Sequence, residues 1–149
     1  MTPPLSGIDH VHVFVRDRNA AERWYAQVLG LSRSPSLEFW AMDGGPLTVQ
    51  DSANTVHMAL FERAPQPNRA TIALRTSAAG LHHWFTHLQA SGLRVEIEDH
   101  EVSFSIYFSD PDSNPYEITT YEHAAFAAAL SCPHQGPIAL LPSPAWLER

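Results

Sequence analysis

The stretch IDHVHVFVRD, residues 8–17, alternates valine first with histidine and then with phenylalanine. Successive side chains of a β-strand point to opposite faces, so Val11, Val13 and Val15 share one face while Ile8, His10, His12 and Phe14 share the other. Such a strand has an aliphatic face suited to a core and a second face that carries two imidazoles. Directly after it, RNAAERWYAQVLGL (residues 18–31) changes period. Ala21, Trp24, Tyr25 and Val28 fall at helical spacing, Asn19 and Glu22 form a capping-box-like start, and Gly30 offers a C-terminal stop.

About sixty residues later the pattern returns. AGLHHWFTHLQASGL (residues 79–93) places Leu81, Trp84, Phe85 and Leu88 on one helical stripe and stops at Gly92. Each helix follows a short strand, DHVHVFV in one case and ATIALR in the other, and each precedes β-like segments. These are LEFWAM, PLTVQD and VHMALFE in the first half, and RVEIED, VSFSIYFS and YEITTY in the second. The expectation is two βαβββ modules, about 7–63 and 68–122, making one α+β domain over residues 1–122, because neither half buries its sheet face alone. Residues 123–149 lie outside the repeat. EHAAFAAAL (122–130) reads as a short helix, and the Pro-rich remainder cannot continue it. Ile138, Leu140, Leu141, Trp146 and Leu147 should nevertheless pack on the domain or on a partner subunit.

The bulk properties narrow the partners. A chain of 149 residues that is 44% hydrophobic and 17% charged is long enough for one domain with a sizeable core. Its net charge of −7 repels a phosphate backbone and an anionic bilayer, so neither nucleic acid nor a membrane is expected as a partner. The opening MTPPLSGIDH has no basic n-region or apolar h-region, and no apolar run approaches the roughly 20 residues that span a bilayer. A lone Cys132 cannot close an internal disulfide, which fits a cytoplasmic location. There is no Gly-rich phosphate loop, nucleophile elbow or C-x-x-C motif.

Three stretches resemble the vicinal oxygen chelate superfamily, which includes glyoxalase I, extradiol dioxygenases, fosfomycin-resistance proteins, methylmalonyl-CoA epimerase and bleomycin-binding proteins. HVHVFVRD followed by WYAQVLGL is similar to that family's opening strand and helix. SDPDSNPYEI (109–118) is similar to its closing D-P-D-G-N-x-x-E motif, with Ser113 where glycine is usual. The resemblance covers roughly residues 7–122. It implies two modules related by a pseudo-twofold, a cupped mixed sheet with a helix on each outer face, metal ligands on the concave faces, and a homodimer.

Carried over position by position, the resemblance matches His10 to the opening metal ligand and Glu117 to the closing one. By the same resemblance Ala59 stands where some glyoxalases have a carboxylate and Thr71 where most metal-binding members have histidine, so two of the four positions are filled. By strand alternation His12 shares the face of His10, and His57 that of Ala59, each displaced by roughly 6.6 Å along its strand. His57 is thus an added candidate donor, and His12 a pocket-lining residue. Ser105 and Tyr107 share one face of their strand, as do Glu117 and Tyr121 of theirs, so His12, His57, Ser105, Tyr107 and Tyr121 are the candidate substrate contacts. Hydroxyls, imidazoles and rings suit a small oxygenated or aromatic molecule. His83 and His87 have helical i, i+4 spacing but lack the glutamate of H-E-x-x-H, and read as a solvated helix face.

Three functions fit this pattern. In the first, His10 and Glu117 hold a divalent ion (Fe, Mn, Ni or Zn) that serves lyase, isomerase or dioxygenase chemistry, with both residues catalytic. The second is a metal-free binding protein of the bleomycin-resistance kind that sequesters a small molecule. The third is a metal-free enzyme with His10 or Glu117 as general base.

Overall fold

The computed structural model describes residues 8–64 and 70–130. The chain divides into two compact units, Met1–Asn68 and Arg69–Arg149, each with its own sheet. The first contains β1 (Val11–Val15), α1 (Arg18–Trp24), β2 (Ser32–Arg33), α2 (Glu38–Met42), β3 (Leu47–Gln50) and β4 (His57–Glu62). The second contains β5 (Ile72–Arg75), α3 (Ala78–Ala90), β6 (Glu96–Asp99), β7 (Phe104–Ser109), β8 (Pro115–Thr120) and α4 (His123–Leu130).

Strand order is β1-β4-β3-β2 in one sheet and β5-β8-β7-β6 in the other. In both, the first and last strands pair in parallel and the remaining pairs are antiparallel. The βαβββ repeat is therefore present in each unit, and the fold is α+β with two mixed four-stranded sheets.

Register shows why these sequences fold this way. In the first sheet Val11 pairs with Met58 and Val13 with Leu60, while Val49 and Leu47 pair with the same two β4 residues. Val13, Val49 and Leu60 are fully buried, together with Tyr25 from the end of the helix. Each such side chain contributes about 1.5–3 kcal/mol on leaving water. Arg33, which pairs with Val49, reaches Glu22 of α1 through Nε and Nη2 at 2.8 and 2.6 Å, so the helix lies over this aliphatic face. In the second sheet Tyr116, Ile118, Ile106 and Phe104 play the same part beneath Leu81 and Leu88 of α3. Phe126 of α4 is also fully buried, 5.0 Å from the ring of Phe104, so the segment after the repeat begins as part of the second unit's core. The hydrophobic residues expected to pack between 138 and 147 lie outside the described residues.

Three local expectations are corrected. LEFWAM is helix rather than strand: Pro35 opens a 3₁₀ turn over Pro35–Leu37 that runs into α2. That segment is apolar at both odd and even positions, so it carries no period-two signal. Pro35 fixes φ and removes an N–H that a ladder would need. The N-cap of α1 is Asp17, not Asn19: its backbone is extended and its carboxylate accepts from the amides of Asn19 and Ala20 at 2.8 and 2.9 Å. The helix then widens into a π-turn over Tyr25–Leu29 before Gly30 ends it at φ 69°. Finally, β1 begins at Val11, so His10 stands just ahead of the strand rather than within it. Among the described residues, no helix is long and apolar enough to cross a membrane.

Candidate functional site

Opposite its aliphatic face, each sheet presents polar chemistry. In the first, the ladder sets His12 beside Ala59 and Ala59 beside Thr48, while His57 pairs with Gln50. Asp9 and His10 precede this row. His10 Nδ1 lies 2.6 Å from Asp9 Oδ2, and this hydrogen bond holds Asp9's carboxyl below the usual carboxylate range. A carboxylate only accepts, so Nδ1 is the donor and Nε2 of the neutral ring keeps its lone pair. That lone pair faces His12 Nε2 at 3.1 Å. His12 rests against Phe61 with centroids 4.6 Å apart, and the guanidinium of Arg63 lies over both Phe61 and Phe14. His57 is tied down elsewhere: Nδ1 is 3.2 Å from the Asp9 carbonyl and Nε2 is 2.9 Å from Asn54 Oδ1. Thr48 is only 3% exposed, and its hydroxyl is a buried polar atom with no partner among the described residues.

The second polar face is built from carboxylates and hydroxyls. Glu117 pairs across the ladder with Ala73 on one side and Tyr107 on the other, and Thr119 pairs with Ser105. Ser105, fully buried, donates to Glu117 Oε1 at 2.7 Å and lies 3.0 Å from Thr119 Oγ1. Burial above all, reinforced by the charge of Glu117, pushes the Tyr107 phenol up to about 12. Tyr107 is thus a neutral hydroxyl near pH 7, and its oxygen lies 3.0 Å from His100 Nε2. Glu98 stands 3.7 Å from the same nitrogen, and burial raises its carboxyl above the usual range.

The structure thus brings His10 and His12 together in one unit, and Ser105, Tyr107 and Glu117 together in the other. Tyr121 sits just past the end of β8, 65% exposed, with the guanidinium of Arg75 over its ring at 5.6 Å. His83 and His87 are exposed on α3. Sequence reasoning missed Asp9, Thr48, Glu98 and His100. The first was legible as the carboxylate adjoining His10. Thr48 shows in PLTVQD as a polar residue on the face that Leu47 and Val49 avoid. Glu98 and His100 alternate with Ile97 and Asp99 in the run EIEDH, and their partner Tyr107 lies on the neighbouring strand, outside that run.

The registers also place the two vacancies. His12 faces Ala59, and Ala73 faces Glu117. Two residues before His12 and Ala73, just ahead of the first strand of each parallel pair, stand His10 and Thr71. Within the repeat, therefore, Thr71 occupies the place of His10, and Ala59 the place of Glu117. Among the described residues no group of three or more His, Cys, Asp or Glu side chains converges into a cage for a cation.

Comparison with known proteins agrees with this architecture. An integron cassette protein from the mobile metagenome of a Halifax Harbour sewage outfall superposes with a TM-score of 0.66 at 18% identity, covering 78% of this chain and 99% of the other. A putative glyoxalase family protein from Bacillus anthracis gives 0.64 at 22% identity, covering 81% and 99%. The fosfomycin resistance protein FosX from Listeria monocytogenes, solved with Mn(II) and sulfate, gives 0.60 at 16% identity, covering 85% and 98%. At these identities the likeness is one of fold. Residues 7–118 match the Glyoxalase/Bleomycin resistance protein/Dioxygenase superfamily, and the chain belongs to that family.

Proposed function

We propose that this protein is a divalent-cation-dependent enzyme acting on a small oxygenated or aromatic molecule, with His10 and Glu117 as cation donors. The observation that carries the reading is the 2.6 Å contact between Asp9 Oδ2 and His10 Nδ1. Metal-ligating histidines almost always give their second ring nitrogen to a carboxylate, carbonyl or water, which fixes the tautomer and raises the basicity of the ligating nitrogen. Ser105 similarly holds one oxygen of Glu117 and so orients its carboxylate. Two donors from the protein hold a divalent ion only weakly, and they leave open positions for water and substrate.

When bound, a divalent ion supplies Lewis-acid polarisation of a substrate carbonyl or enediolate oxygen. The chain's own residues supply the rest. Tyr107, protonated well above neutral pH, presents a hydroxyl beside Glu117 for a substrate oxygen. The rings of Phe14, Phe61 and His12 give an aromatic surface suited to a flat or apolar group. Lyase, isomerase and dioxygenase chemistry all accord with this donor set, and the reading includes a cytoplasmic homodimer.

A second reading, metal-free sequestration of a small molecule, is favoured by one observation: the two vacant positions hold Ala59, buried at 3% exposure, and Thr71. The deciding experiment is elemental analysis of protein purified without a nickel-affinity step, beside titration with Fe(II), Mn(II), Ni(II) and Zn(II). Saturable binding abolished by both His10→Ala and Glu117→Gln is the expected result. Protein that takes up none of these ions overturns the cation-dependent reading.

A further inference from the structure

The vacancy at Thr71 removes an imidazole from the usual donor set, and β1 carries a second imidazole of its own. We propose that His12 is the second histidine ligand of the cation, so that one short stretch of chain, His10-Val11-His12, chelates the ion by itself. The proposal rests on the reading of His10 as a donor and departs from it by placing the missing ligand two residues along the same stretch of chain.

The geometry carries this. His10 and His12 are two residues apart and face the same way, and their Nε2 atoms are 3.1 Å apart. At that separation the two nitrogens subtend about 95–102° at an ion bonded to both at about 2.0–2.1 Å, which lies between octahedral and tetrahedral demands. The ring planes are within 22° of parallel, and the centroids, 5.0 Å apart, are separated by about 1.9 Å more than the two nitrogens. The rings therefore meet edge to edge with nitrogens converging. A face-to-face stack would keep nitrogens and centroids at similar separations.

The tautomers agree. Asp9 accepts the hydrogen bond from Nδ1–H of His10, so the His10 lone pair is on Nε2, turned toward His12. His12 presents a second lone pair in its neutral tautomer with the proton on Nδ1. His57 is the poorer candidate because both its ring nitrogens are already engaged, by Asp9 and Asn54. Only Val11 separates the two donors and His12 is fixed in β1, so assembling the pair orders just the residue ahead of the strand and the entropy cost is small.

The test is a chelator-competition titration with Zn(II) and Ni(II) on the full chain and on His12→Ala, His12→Gln, His10→Ala, Glu117→Gln and His57→Ala. It is run beside long-range ¹H–¹⁵N spectra of the histidine rings. The expected result is that both His12 variants weaken binding at least as much as the 10–100-fold typical of losing an outer partner, as does His10→Ala, while His57→Ala changes it little. The wild-type Nε2 resonances of His10 and His12 should shift together on addition of Zn(II). If binding falls in His10→Ala and Glu117→Gln but holds in both His12 variants, the His12 ligand is wrong and the two-donor reading stands. If wild type binds neither ion, or His10→Ala leaves binding intact, both readings fall. A His12→Ala chain that does not fold is answered by His12→Gln and by the ring shifts of the unaltered protein.

Discussion

The two sheets have the same strand order and the same parallel pair, yet their polar faces differ in kind. The first carries imidazoles backed by aromatic rings, with His10, His12 and His57 close to solvent. The second carries Glu98, Ser105, Tyr107, Glu117 and Thr119, in which hydroxyls buffer the carboxylates and burial raises two acids. What repeats is the face that must be dry. Val13 against Leu60 in one sheet and Leu74 against Ile118 in the other keep an aliphatic row wherever a helix has to pack. Duplication holds the scaffold constant, and the opposite face is free to diverge into a basic half and an acidic half.

The largest effect should therefore come from the shared scaffold. Leu60→Ala and Ile118→Ala remove side chains that are 0% and 1% exposed at matching places in the parallel pairs. Each should cost about 2–5 kcal/mol, read as a fall in the urea midpoint. A loss below about 1 kcal/mol in either one would break the equivalence of the two cores.

The next effect concerns a loop that both halves build alike. Asp51 accepts from the amides of Thr55 and Val56 at 2.7 and 2.8 Å. Asp110 accepts from those of Asp112 and Asn114 at 2.9 and 2.8 Å. In each loop the amide three residues on returns to the aspartate carbonyl. Truncation to alanine orphans these donors and should cost about 1–3 kcal/mol in each half. Hydrogen bonds, led by that from the Val56 amide, hold Asp51's carboxyl below its ordinary value. A lowered folded value means stability present above the unfolded value near pH 3.9 and lost as pH falls through the folded one. Asp51→Asn should flatten the acid limb of the stability profile below about pH 4, and an unchanged limb would show that the bonds do not form in solution.

At the alkaline end the acidic half has its own signature. Tyr107 is raised to about 12, so the stability it confers is complete below about pH 10 and is lost as pH rises through about 12. In an absorbance titration the Tyr107 step, identified by its loss in Tyr107→Phe, should come late. Glu117→Gln should bring that step to lower pH without restoring the ordinary value, because burial is the larger cause. A step unmoved by Glu117→Gln would mean that the carboxylate does not face the phenol.

These contrasts mark what the sequence could disclose. The dry faces were legible because period two and period 3.6 are imposed by packing, as Val13, Val15, Leu81 and Leu88 show. The polar faces were legible only where one residue type sufficed, as with His10 and Glu117. Glu98, His100 and Thr48 acquire meaning from neighbours across the ladder, which no local window contains. LEFWAM misled for the opposite reason: hydrophobicity without period says that a segment avoids water, not in which conformation.

The smallest effect separates the two loops at one backbone position. Asn54 and Ser113 occupy corresponding places and both adopt left-handed conformations, with φ of 58° and 67°. For an L-residue that region costs roughly 1–2 kcal/mol through contact between Cβ and the following carbonyl. Asparagine tolerates it better because its short polar side chain bonds locally, whereas serine is less often found there. Glycine escapes the clash but brings a more flexible unfolded chain, which returns part of the gain. Ser113→Gly should consequently stabilise by about 0.5–1 kcal/mol, and Asn54→Gly by less, down to nothing. Denaturant midpoints of the two variants decide it. An equal gain at both sites would mean that serine and asparagine bear the same strain, and the two loops would then be equivalent in energy as well as in hydrogen bonding.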